Sequence, residues 1–272
     1  VFRIERPPTA LSRGFGLAER IHHSTVRVIR QSQGNPVLGL LKNILRTVVL
    51  IMAFHLMVTL LGWRPNAIRG DFVLYLMSGI FLYMTHTRAI GAVFGAEGPT
   101  STMMLHAPMN TVIAIAAAAL SALYLQFLSM VVVLFVYHVA FTPIRIDQPI
   151  GALGMFLMSW ISGVAIGMVF LALKPWFPAL AAGLQQIYSR ANMIFSGKMF
   201  VANALSFTML PLFSWNPLFH TIDQSRGFVF LNYTPHYTDP VYPLLVTLPL
   251  LLVGLMGDFF TRRRASLSWS RR

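Results

Sequence analysis

The sequence predicts an all-α polytopic membrane protein with six transmembrane helices, an N-terminal amphipathic interfacial helix and short re-entrant helices between spans five and six. Three observations predict it. Apolar residues make up 56% of the chain and charged residues only 11%, against about 25% charged in soluble domains. Long stretches such as 112–140 are apolar on every face, and a bilayer span needs about 20 such residues. Of the net charge of +13, +9 lies in the N-terminal arm and the C-terminal tail, and the long chain between them carries only +4. That distribution fits positive-inside anchoring rather than a nucleic-acid groove, so no nucleic-acid partner is expected. The division is an arm at 1–36, a six-span domain at 37–260 and a basic tail at 261–272.

In the arm, Leu11, Phe15, Ala18, Val26 and Ile29 fall on one side of a helical wheel, and Arg13, Arg20 and Arg27 on the other. This is the pattern of a helix lying in the membrane interface; a solvated basic helix packed on a partner is the alternative. Gly14 and Gly16 weaken its first turn, so 17–30 is its firm part. Gly34-Asn35-Pro36 ends it. No cleavable signal peptide is expected, because the first apolar run follows a long basic arm and no small-residue cleavage site comes after it.

Span one covers 37–63, with Lys42 and Arg46 in its cytoplasmic turns able to snorkel outward. Span two covers 72–87, and a loop holding Arg88, Glu97, Gly98 and Pro99 follows. Span three covers 110–138, span four 150–173 and span five 180–200. The stretch 201–240 is apolar but broken by Pro211 and Pro217. A re-entrant pair of short helices fits it, since irregular backbone at depth needs protein or water around it; an aromatic-anchored interfacial loop is the alternative. Span six covers 241–260, where Pro243, Pro249, Gly254 and Gly257 predict a bent or loosely packed helix. An even number of spans puts both basic ends on one side, the cytoplasm.

Few residues suggest covalent chemistry. A phosphate-binding loop would read Gly-x-x-x-x-Gly-Lys-Ser/Thr, and Ser196-Gly197-Lys198-Met199 keeps only the Gly-Lys pair. The histidines are scattered or adjacent, and there is no cysteine, so no metal site, cofactor or enzymatic role is expected of this chain. Gln185, Ser189, Asn192 and Ser196 step by four, three and four, which makes one polar stripe on span five, with Arg190 beside it. A mid-helix charge costs about 2.5–3.5 kcal/mol on insertion scales. The stripe therefore faces water or protein; interhelical packing and a wet pathway both satisfy it. Gly163 and Gly167 form a close-approach motif in span four.

Several segments in order resemble the permease subunit of type-2 ABC exporters, in the branch that exports capsular polysaccharide, O-antigen or teichoic acid. They are Val26-Arg27-Val28-Ile29-Arg30 with Gly34-Asn35-Pro36-Val37-Leu38-Gly39; Phe195-Ser196-Gly197-Lys198-Met199-Phe200; and Leu210-Pro211, Trp215-Asn216-Pro217-Leu218-Phe219-His220 with Asp223 and Arg226. The resemblance implies a homodimer in membrane lipid bound to two nucleotide-binding ATPase subunits, which carry ATP and Mg. It implies a glycan substrate and names periplasmic and outer-membrane export components as candidate further partners. Gln185, Tyr188, Ser189, Arg190, Asn192, Ser196 and Lys198 would line the translocation pathway. Gly95, Glu97, Gly98 and Pro99 would couple to the ATPase. Pro211, Trp215, Asn216, Pro217, Asp223 and Arg226 would belong to the outer gate. Lys198 departs from the family pattern, where an apolar residue is usual; its charge could favour an anionic glycan or simply snorkel. A drug, small lipid or peptide is the alternative cargo.

Overall fold

The computed structural model describes residues 10–33, 35–60, 71–96 and 111–269. Among them nine α-helices occur and no strand: α1 Ala10–Gln33, α2 Pro36–Leu60, α3 Phe72–Phe94, α4 Thr111–Ala140, α5 Pro149–Leu173, α6 Pro178–Phe195, α7 Leu210–Ser214, α8 Pro217–Val229 and α9 Tyr242–Trp269. Prolines open α5, α6 and α8, where their fixed φ suits the first turn and their missing N–H would have no partner anyway. Four helices are long and apolar enough to cross a membrane: Val37–Leu60, Thr111–Ala140, Pro149–Leu173 and Tyr242–Thr261. α3 and α6 fall outside that set for a compositional reason. The second half of α3 carries His86, Thr87 and Arg88, and the 18 residues of α6 include Gln185, Gln186, Ser189, Arg190 and Asn192.

Several boundaries differ from the sequence reading. α1 begins at Ala10, before Gly14 and Gly16, because it lies along α4 and α2 and tertiary contact outweighs a glycine cost of about 1 kcal/mol. α3 runs to Phe94 rather than Thr87, since Ala89, Ile90 and Val93 are fully buried there against Gly163 and Gly167 of α5. Gly91 is thus helical, and Gly95 is the helix cap, its N–H bonded to the Gly91 carbonyl. Glu97, Gly98 and Pro99 lie outside the described residues. α6 stops at Phe195 instead of 200 because Gly197 takes a left-handed φ of 67°.

α3 and α5 form the centre, and small residues set their distance. A Cβ on Gly163 would sit 2.5 Å from the His86 carbonyl oxygen, and one on Gly167 would sit 2.9 Å from Val93 Cβ. Ser159 Oγ donates to the Leu82 carbonyl at 2.6 Å, and His86 Nδ1 pairs with Ser162 Oγ at 2.9 Å. α9 covers the far side of α5. Here Gly254 and Gly257 are not sites of loose packing: added Cβ atoms would meet Met168 Cβ at 2.6 Å and Ala172 Cβ at 2.5 Å. α2 and α4 lie on the other side of α3, joined by a buried Asn43 that donates to Gln126 Oε1 at 3.2 Å and to Ser129 Oγ.

Asp71 ties the start of α3 to the end of α4. Its carboxylate accepts from Val73 N–H at 2.9 Å, Tyr137 Oη at 2.5 Å and Thr142 Oγ1 at 2.7 Å. Partial burial pushes this carboxyl upward, but the hydrogen bonds outweigh it, so the group sits below the ordinary value of 3.8. A depressed carboxylate stabilises the fold above the unfolded-state value, and that contribution is lost as pH falls through the folded value. Asp71→Asn is expected to lower the melting temperature in detergent at pH 7 and to flatten its decline below about pH 4. A variant whose melting-temperature profile overlays the native one across that range would refute the assignment.

Candidate functional site

Two of the three resemblance-bearing groups of segments, 195–200 and 210–226, meet at the end of α6, while residues 26–30 lie on α1. Gly197 turns the chain sharply, and its missing side chain matters twice over: φ is positive, and a Cβ would lie 2.4 Å from the Phe219 ring. Asn216 caps α8 by accepting from Leu218 N–H at 3.0 Å. Its amide also donates to Asn192 Oδ1 at 2.7 Å and to the Phe195 carbonyl at 2.9 Å. α8 is therefore fastened to the last turn of α6.

Asp223 and Arg226 lie one turn apart on α8 and serve opposite directions. The Asp223 carboxylate accepts from Ala202 N–H at 3.0 Å, Tyr233 Oη at 2.6 Å and Thr238 Oγ1 at 2.8 Å. Burial, and then this carboxylate, push the Tyr233 phenol above the usual tyrosine range, so it remains a donor. Arg226 is 0% exposed and donates to the carbonyls of Gly197 at 3.0 Å, Phe200 at 2.5 Å and Lys198 at 2.5 Å. Its guanidinium lies 4.3 Å above the Tyr75 ring. Gly79 of α3 makes room, because a Cβ there would come within 2.8 Å of the guanidinium and 2.7 Å of the Lys198 carbonyl oxygen.

The other expected gate residues flank this latch. Pro211 stands in the first turn of α7. Trp215 follows its last turn, half-exposed, with its indole N–H bonded to the Leu212 carbonyl and its own carbonyl accepting from Tyr242 Oη at 2.9 Å. Pro217 begins α8.

The polar stripe of α6 meets two environments. Gln185, Ser189 and Arg190 line a cavity of about 1040 Å³ bounded by α1, α2, α3, α4 and α6. Tyr188 instead bonds His86 Nε2 at 3.2 Å and packs on Phe170. Asn192 is buried in the latch, and Ser196 is buried with its hydroxyl lacking a partner among the described residues. The four stripe residues share one helical face, but the neighbour opposite that face changes from open space to α8. Lys198 is 1% exposed. Its ammonium donates to the Met193 carbonyl and lies 4.0 Å from the Tyr83 ring centre and 5.1 Å from that of Phe54. It does not line the cavity.

Sequence reasoning did not gather the cavity's other cations. Arg27 of α1, Arg46 of α2 and Arg88 of α3 join Arg190 there, with Ser24, Tyr83 and Thr87. Read singly, each arginine looks like a snorkelling or loop residue; only the packing of four helices brings them to one space. No known protein-family model and no curated protein matches the chain.

Proposed function

We propose that the chain is the transmembrane permease subunit of an ATP-driven exporter that moves a polysaccharide or lipid-linked glycan across the bacterial inner membrane. The observation that carries the reading is the latch. Gly197, Asn216, Asp223 and Arg226, from two of the three groups of segments on which the resemblance rests, together fasten α8 to the end of α6 and the chain that follows it. On this reading α3 and α6 join the four long apolar helices to give six crossings, with both termini cytoplasmic and α1 along the inner leaflet. α7 and α8 form the re-entrant outer gate. The near-complete burial of α8 against α3 and α5 supports that placement over an interfacial loop, because backbone at membrane depth needs protein around it. The cavity beside α6 is the entry to the pathway of a homodimer. Energy comes from a separate ATPase, whose nucleotide-driven states must differ in affinity for the permease to shift it.

Affinity capture of the tagged chain from its native membrane is expected to bring down a subunit with a Walker motif. The reconstituted complex is expected to move glycan only with hydrolysable ATP. Capture without such a subunit, or ATP-independent movement, would overturn the proposal. A deletion strain that keeps its surface glycan would favour the same architecture exporting a drug, small lipid or peptide.

A further inference from the structure

We propose that Tyr83 is a swinging gate that shuts the large cavity off from a buried cation, Lys198. Tyr83 of α3 and Met193 of α6 both line the cavity. Lys198 does not, yet its ammonium sits against the same two residues, 4.0 Å from the Tyr83 ring centre and donating to the Met193 carbonyl. A third group beside it is the Phe54 ring, its centre 5.1 Å away. Of these three, one is free to move. The Met193 carbonyl belongs to the backbone of α6, and Phe54 is buried in the core and lines no part of the cavity. Tyr83 is only partly buried, borders about 1040 Å³ of open space, and has no hydrogen bond on its hydroxyl among the described residues.

The amine gains from an opening. Among the described residues no ion pair involves Lys198. A buried ammonium held by one carbonyl and two rings has given up strong bonds to water, and water in the cavity restores them. Attraction between the ammonium and the ring opposes this, at about a factor of ten in an equilibrium. The closed state is therefore the major one, and the open state a minor one within thermal reach. The lysine cannot retreat by moving its backbone. Its carbonyl accepts from Arg226 and lies so near α3 that a Cβ on Gly79 would come within 2.7 Å of it. Opening is thus a side-chain event. The Tyr83 ring turns into the cavity, where Arg46 already stands close to its phenol, and the Lys198 amine comes into view. The gate belongs to this chain alone and does not rest on the exporter reading, which capture of an ATPase tests separately.

The chain has three lysines, Lys42, Lys174 and Lys198, so acetylation of amines reads the gate directly. Purified full-length chain in dodecyl maltoside is treated with sulfosuccinimidyl acetate, and the modification of each lysine is followed in time by peptide mass spectrometry. Lys42 is exposed and sets the reference rate. Native Lys198 is expected to react to completion, but about tenfold or more slowly than Lys42. Y83A is expected to speed Lys198 by about tenfold, Y83F to match the native chain, and F54A, which strips the other ring, to stay within about twofold of it. D71N loosens the fold elsewhere and is expected to leave the rate unchanged, which separates gate opening from unfolding. Lys198 reacting as fast as Lys42 in the native chain would mean no closed gate, and Lys198 that never reacts would mean a fixed wall; either overturns the proposal. So does Y83A with the native rate, equal acceleration by F54A and Y83A, or acceleration by D71N. Should Y83A not elute as a single species, Y83L is read in its place by the same criteria.

Discussion

Arg226→Met is expected to leave little folded protein. The native guanidinium supplies three hydrogen bonds to the turn carbonyls of Gly197, Lys198 and Phe200 and stacks on Tyr75. Methionine fills much of the volume but donates nothing, so buried carbonyls that lose a donor cost about 1–3 kcal/mol each. Not all of that cost survives relaxation, and a loss of about 3–5 kcal/mol is the expected net. Arg226→Lys restores the charge but cannot reach three carbonyls from one nitrogen, so it is expected to recover less than half of the loss. Thermal unfolding in detergent, followed by intrinsic fluorescence and by size exclusion, reads both variants. A methionine variant that melts with the native protein would show the arginine to be dispensable for the latch.

Gly197→Ala is the second large effect. Alanine in a left-handed conformation costs about 1–2 kcal/mol by backbone sterics alone. The added methyl would then meet the Phe219 ring at 2.4 Å, and that ring is buried and packed between Phe200 and Phe213. Overpacking of this kind adds about 1–3 kcal/mol. The two contributions separate in a double-mutant cycle. Phe219→Ala destabilises by itself, but in its presence Gly197→Ala should retain only the backbone part, so the double variant is less damaged than the sum. Melting temperatures in the same detergent give the cycle. Strict additivity would sink the steric half of the account, and a neutral Gly197→Ala would sink both halves.

The long apolar helices were legible because length and hydropathy alone decide them. α5 was expected at 150–173 and occupies Pro149–Leu173. Helix ends set by tertiary contact were not. α3 outruns its apolar stretch by two turns because Ala89, Ile90 and Val93 pack on Gly163 and Gly167 of α5, a partner that no local pattern announces. α6 falls short because Gly197 reverses the chain, and a glycine inside an apolar run looks like any other glycine. Motif order pointed to Asn216 and Arg226, but not to what they hold, since carbonyls are present at every residue. The stripe of α6 was correct as a face, yet sequence periodicity cannot say that Gln185 looks into a cavity while Asn192, two turns on, looks into α8. Arg27, Arg46 and Arg88 stayed invisible as a group for the same reason: convergence belongs to the packing of helices, not to spacing within any one of them.

The enclosure of α3 bears on biogenesis. This helix has almost no side left for lipid, and its second half holds a histidine, a threonine and an arginine that hydrocarbon would not accept. The ribosome nevertheless delivers it before α4, α5 and α8, the escorts that shelter it. If α3 is one of the six proposed crossings, partitioning one segment at a time from the translocon would strand it, and it would have to wait at the lateral exit or the headgroup layer until α5 emerges. On the six-crossing proposal, the order of membrane integration is then not the order of synthesis.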